Sequence, residues 1–363
     1  MVRGLTTASV LALGATSALA GGVDRSGQSV GVIFEQGNYI EFSLGTVSPS
    51  VSGTAIAGLG GASSGDMAGD YAQLGLAYKQ TLANGLEAAI IYDQPFGANV
   101  DYPVGTGYYA QGSTAVLKTH AITGVLKYKM PSNLSVYGGL RYQTIEANAS
   151  IPFVAGYTAQ GDRDGGVGYL VGAAWEKPEI ALRVALTYNS KIKHEVATTE
   201  AGPGSLVSTT DIETPQSVNL DFQSGIAANT LLFGSIRWVE WSAFDITPAL
   251  YLGATGGSLV SYADDTISYS LGIGRKFNEN WSGAITVGYE KSNGGYASNL
   301  GPTDGYKSIG IGATYTKDNM KITGGVRYVD IGDAQTQLGG FTPSANFNNN
   351  HALGVGMRVG FSF

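Results

Sequence analysis

From about residue 39 to the last residue, the chain alternates apolar side chains with polar or small ones at a period of two. That is the spacing of β-strands with two unlike faces. In residues 351–363, Leu353, Val355, Met357, Val359, Phe361 and Phe363 share one face, and Ala352, Gly354, Gly356, Arg358, Gly360 and Ser362 share the other. Leu134, Val136, Gly138, Leu140 and Tyr142 alternate in the same way with Ser135, Tyr137, Gly139, Arg141 and Gln143. The spacing predicts fourteen strands, at about 39–47, 71–80, 84–93, 115–129, 133–146, 166–176, 180–193, 215–226, 229–241, 266–277, 281–291, 306–317, 320–331 and 351–363.

A soluble sandwich hides its apolar faces in a core, whereas a membrane barrel turns them to lipid and its polar faces to a lumen. Connection lengths decide between the two. Short connections at 81–83, 131–132, 177–179, 227–228, 278–280 and 318–319 alternate strictly with long ones. The long ones are 48–70, 94–114, 147–165, 194–214, 242–265, 292–305 and 332–350. Short periplasmic turns and long extracellular loops mark bacterial outer-membrane barrels. The expected fold is therefore all-β, a closed antiparallel transmembrane barrel of fourteen strands over residues 39–363, with outer-membrane lipid around it.

Composition sharpens this. Only 13% of the 363 residues are charged, 54 are Gly and none is Cys. So little charge argues against an ordinary soluble enzyme, and the absence of Cys removes thiolate metal sites. A net charge of −7 argues against nucleic acid as a partner. Arg3, the apolar run 8–13 and the small residues Ala18 and Ala20 predict a signal peptide over 1–20. Residues 21–38 are left as a short N-terminal segment able to plug the lumen. Tyr71, Tyr92, Tyr128, Trp175, Trp241 and Trp281, near strand ends, suit membrane interfaces.

Four stretches carry a family resemblance: Phe42-Ser43-Leu44-Gly45 running to Gly53, Asp93-Gln94-Pro95-Phe96-Gly97, Tyr188-Asn189-Ser190-Lys191-Ile192-Lys193-His194, and Thr214-Pro215-Gln216-Ser217 followed by Arg237-Trp238-Val239-Glu240-Trp241-Ser242-Ala243-Phe244. In order and spacing they resemble the FadL-type outer-membrane transporters of long-chain fatty acids and hydrocarbons. The resemblance implies a fourteen-strand barrel with an N-terminal hatch, and passive uptake of hydrophobic molecules. It also implies that Phe363, as a terminal aromatic, is read by the barrel assembly machinery. One departure is plain: the family's Asn-Pro-Ala step before the first strand is here Glu35-Gln36-Gly37-Asn38.

Candidate ligand residues follow. Arg141, Arg237 and Arg327 lie on polar strand faces, where a guanidinium fork suits a carboxylate headgroup. A lumenal ion-pair network with acids such as Asp221 and Glu290 is the competing reading. Long loops hold Phe96, Tyr102, Tyr108, Tyr109, Leu250, Tyr251 and Leu252, as well as Leu259 and Val260. Such apolar content caps the barrel or captures an apolar ligand. Pro95 and Gly97 mark either a kink that opens the wall or a strand end. No cofactor or metal is expected, because His120, His194 and His351 lack zinc spacing. Catalysis is not expected either, His120 with Ser113 being the one pairing available. The favoured function is passive transport of a fatty acid or an aromatic or alkyl hydrocarbon. A general diffusion porin for small polar solutes and a structural surface barrel are the alternatives.

Overall fold

Strands with apolar outer faces cannot leave backbone edges unpaired in hydrocarbon, so such a sheet has to close. The computed structural model describes residues 23–339 and 341–363, and it shows this closure. The predicted signal peptide lies outside the described residues. Fourteen wall strands run antiparallel to their neighbours. They are β1 (Tyr39–Ser50), β2 (Tyr71–Thr81), β3 (Leu86–Asp93, resuming as Gly97–Asp101), β4 (Thr114–Lys129) and β5 (Leu134–Ile151). Next come β6 (Tyr157–Lys177), β7 (Leu182–Asn189, resuming as Ile192–Ala201), β8 (Ser205–Thr214, resuming as Ser217–Ala227) and β9 (Thr230–Val239). The last five are β10 (Thr266–Lys276), β11 (Trp281–Glu290), β12 (Tyr306–Lys317), β13 (Met320–Ile331) and β14 (Asn350–Ser362). β1 pairs with β2 on one side and with β14 on the other, from Tyr39↔Ser362 to Ser50↔His351.

The faces are inverted relative to a soluble protein. Ile90, Leu140 and Ile311 stand 57%, 68% and 62% exposed on the outside, in a belt of exposed apolar residues that continues around the wall through Phe42, Leu76, Leu126, Val171, Leu186, Leu271, Ile285, Val326 and Val355. Lys79, Lys127, Arg141, Gln143, Asn189 and Arg237 are buried on the inside. An apolar belt of this extent is a lipid-facing surface. Among the described residues no helix is long and apolar enough to cross a membrane, so strands make the crossing.

Short turns join the strands at one end, and Asn84, Asn133, Asn229 and Asp318 sit there at φ between 53° and 63°. Short polar side chains tolerate this left-handed region best after Gly. At the long-loop end the structure corrects two predicted loops. Residues 157–165 belong to β6, and 192–201 with 205–214 form a hairpin that carries β7 and β8 beyond the belt. The outward face of that hairpin carries Lys193, Glu195, Thr199 and Asp211, so it stands in water. Residues 334–338 and 341–347 form a further hairpin across the same end. Two aromatics assigned to the membrane interface turn inward instead: Trp241 is fully buried, and Tyr71 lies on the lumen face of β2.

The last residue closes the seam between β1 and β14. The Phe363 amide donates to the Asn38 carbonyl at 3.0 Å, and its ring stacks on Tyr78 at 6.2 Å. Deleting Phe363 is expected to lower the amount of folded barrel in the membrane while leaving transport per folded molecule unchanged. Heat-modifiable mobility on gels reads the folded fraction, and a normal folded fraction after deletion would contradict the expectation.

Candidate functional site

Residues 23–38 thread the lumen from its long-loop half to the start of β1. The lower part is held by three lysines. Lys79 Nζ donates to the carbonyls of Glu35 (2.7 Å) and Gly37 (3.1 Å), and Lys127 Nζ donates to that of Ile33 (2.6 Å). Glu87 neutralises both lysines, at 2.7 and 2.5 Å. Lys321 pairs with Glu35 at 3.2 Å, and Phe34 sits between Lys127 and Arg183. The upper part is anchored by Arg237, whose Nε meets Asp24 at 2.6 Å. Gln28 accepts from Ser217 and Arg237, and the Gly27 carbonyl accepts from Asn219. Buried pairs of this kind cost about 3–5 kcal/mol to break by removing one partner. The segment is therefore clamped at both ends.

Above Asp93 the wall changes partner. Proline supplies no amide to a ladder, and β3 breaks over Gln94-Pro95-Phe96 before resuming at Gly97. Both pieces stay paired with β4. β2 follows β3 only as far as Leu76↔Tyr92. Beyond that point the N-terminal segment takes the free edge of β3: the Gly97 amide donates to the Val23 carbonyl (2.9 Å), and the Arg25 amide to that of Pro95 (2.8 Å). Tyr71–Gly75 of β2 thus lacks a strand partner on this side, and Gln94 Oε1 accepts the Leu74 amide across the gap at 2.8 Å. Gly69 and Asn99 rejoin the two sides above it. The result is a window in the wall, level with the belt residues Leu74 and Leu76. An open space of about 1530 Å³ reaches it from the lumen, lined by Arg25, Gln73, Gly75, Asp93 and Arg327 among others.

A second space, of about 660 Å³, lies under the loops and is almost wholly apolar. Val23 and Ala98 line it, with Ala147, Ala149 and Ala159 of β5 and β6 and Val196 and Ile212 of the β7–β8 hairpin. Phe244, Ile246, Leu259, Val260 and Leu300 complete it, and no charged side chain takes part. Alanines and Gly161 hollow out this chamber. Leu259 and Leu300 also line an open groove of about 1230 Å³ on the outer surface, with Tyr102, Phe153 and Tyr251. These two leucines divide groove from chamber, and Val23 and Phe96 lie in the apolar cluster between chamber and window.

The loop residues singled out from sequence fall into three groups. Tyr102, Tyr108 and Tyr109 stack together and tie loops to one another, with the Tyr102 and Tyr109 hydroxyls both donating to Asn299 at 2.6 Å. Burial pushes the Tyr102 hydroxyl well above its ordinary pKa, so it stays a neutral donor. Phe96 meets Trp241 edge-on at 5.8 Å, in the apolar cluster of the chamber. Leu250, Tyr251 and Leu252 lie on a short helix, α1 (Ala249–Thr255). The Leu250 amide donates to Glu200, Tyr251 packs on Tyr157 and lines the groove, and Leu252 faces solvent. Pro95 and Gly97 stand at the window.

The three arginines do not meet in one place. Arg141 donates to Thr123 and Asn189, and Arg237 is held by Asp24. Arg327 donates twice to Ser308 and faces the open lumen space. His120 points outward onto Tyr92 while Ser113 is buried inside, so that pairing is not formed. Burial holds His194 below its ordinary pKa, against the pull of Asp164. Among the described residues no three His, Cys, Asp or Glu side chains gather as a metal site. Sequence reasoning missed Arg25, Gln94 and Leu300. It also missed the chamber alanines, which lack any residue-type signal.

No family model matches the sequence, and no curated protein does. Solved structures do share the fold. A FadL homologue from Pseudomonas aeruginosa is 12% identical, with 91% of each chain aligned and a TM-score of 0.73. The Pseudomonas putida toluene transporter TodX is 13% identical over 96% of this chain and 98% of its own, at 0.66. The Ralstonia pickettii toluene transporter TbuX is 13% identical over 91% and 90%, at 0.59. The chain has the fold of the FadL-type barrels.

Proposed function

We propose that the protein is an outer-membrane channel of FadL type for passive uptake of hydrophobic compounds. An apolar molecule would collect in the outer groove, pass Leu259 and Leu300 into the chamber, and leave through the wall window into the bilayer. The observation that carries this reading is the chamber itself. A largely apolar space without a charged lining, joined to an outer groove by two shared leucines, suits an apolar ligand. Burial supplies the driving force, at about 0.8 kcal/mol per methylene. The likeness in fold to the toluene transporters TodX and TbuX supports the substrate class. Residues 23–38 act as the plug, and their clamps to Lys79, Lys127 and Lys321 speak against an open aqueous bore. Of the three arginines named from sequence, Arg327 is the one that borders the open lumen space.

Two measurements on the purified barrel test the reading together. It is expected to bind radiolabelled naphthalene and oleate, and liposomes carrying it are expected not to swell in small sugars. Swelling without binding of either hydrophobic compound would replace the transporter with a porin.

A further inference from the structure

We propose that Arg25 is a headgroup site in the wall window, selecting amphipaths that carry a single carboxylate and holding that carboxylate while the tail enters the bilayer. This rests on the channel reading above and adds a specificity residue to its exit. The guanidinium lies 3.9 Å above the centre of the Tyr71 ring, on one rim of the window. Its other side rests against Gly97 on the opposite rim, so closely that a Cβ there would stand 2.6 Å from Cζ. Glycine at 97 is thus needed for the charge to lie across the gap. Stacking on an aromatic face occupies the plane of a guanidinium and leaves its donor edges free for a bidentate acceptor.

Among the described residues those donors meet no acceptor. Of the nearby acids, Asp24 pairs with Arg237 at 2.6 Å, and Asp93 accepts from Ser26 through one oxygen at 2.5 Å, its other oxygen having no partner among the described residues. The lysines along the N-terminal segment have acidic partners, Lys79 and Lys127 in Glu87 and Lys321 in Glu35, and Arg183 stacks on Phe34. Arg25 instead borders the open space that runs from the lumen to Leu74 and Leu76 in the lipid-facing belt. A fixed cation between an apolar route and the bilayer edge matches a molecule with an anionic head and an apolar tail. A neutral hydrocarbon would pass the same rim without using it.

The test compares ligands that differ only in the head. Oleate and oleyl alcohol share one tail, so their competition for the wild-type barrel reads the headgroup alone, and oleate is expected to bind about tenfold more tightly. In Arg25→Gln that preference is expected to vanish, in Arg25→Lys to survive in part, and naphthalene binding is expected to stay unchanged in both. Equal wild-type affinity for oleate and oleyl alcohol would overturn the proposal without needing any variant. So would an Arg25→Gln barrel that still prefers oleate, or one in which oleate and naphthalene binding fall together. Binding of none of the three compounds by wild type would instead sink the channel reading and this proposal with it.

Discussion

Replacing Ala147 or Ala159 with Phe is expected to lower naphthalene affinity by more than about 100-fold. Both alanines line the chamber, from adjacent strands β5 and β6. A phenyl ring at either position would occupy the volume the ligand needs. Losing burial equivalent to four methylenes, at about 0.8 kcal/mol each, is about 3 kcal/mol, or more than two decades in affinity. The fold should tolerate the change, because the ring enters open space rather than a filled core. Gln160→Phe is the control, adjacent to Ala159 in sequence but on the outer face, and is expected to bind as wild type does. Equilibrium binding with heat-modifiable mobility as the folding check decides it. Wild-type affinity in both alanine variants would show that the ligand does not use the chamber.

The barrel was legible in the chain because lipid imposes a rule on every strand. Each wall residue that faces hydrocarbon must be apolar, so residues 351–363 and 134–143 alternate without exception that matters. Above the belt that rule lapses. In residues 192–201 the inward face reads Ile192, His194, Val196, Thr198, Glu200 and the outward face Lys193, Glu195, Ala197, Thr199, Ala201. Neither face is apolar, since one meets water and the other a lumen, and the stretch reads as loop. Val196, Thr198, Thr210 and Ile212 of that hairpin line the chamber, so this side of it was hidden with them.

Charged residues show a similar limit. Polar strand faces identified Arg141, Arg237 and Arg327 as inward, which a two-residue period fixes. Their partners come from residues 24 and 28 or from other strands, and no local pattern reports those. Arg25 sits in a stretch of irregular backbone, so neither its direction nor its place at the window could be read. The Pro95-Phe96-Gly97 step was different. A residue without an amide, next to one without a side chain, marks a break in a ladder wherever it falls. Trp241 was misplaced because its strand ends two residues earlier, at Val239, and the chain turns into the lumen.

Closing the wall window tests the central claim most directly. The protein has no cysteine, so Leu74→Cys with Gln94→Cys supplies the only two thiols, one on each rim. A short, reducible bis-methanethiosulfonate reagent would tether the rims and leave the groove, the chamber and the clamps on residues 23–38 untouched. Transfer of naphthalene from outside into the membrane of cells carrying the barrel is the quantity to follow. Tethering is expected to abolish the transfer while naphthalene binding persists, and reduction of the tether is expected to restore it. Undiminished transfer through the tethered barrel would mean that the ligand leaves past the N-terminal segment, and would contradict the lateral route.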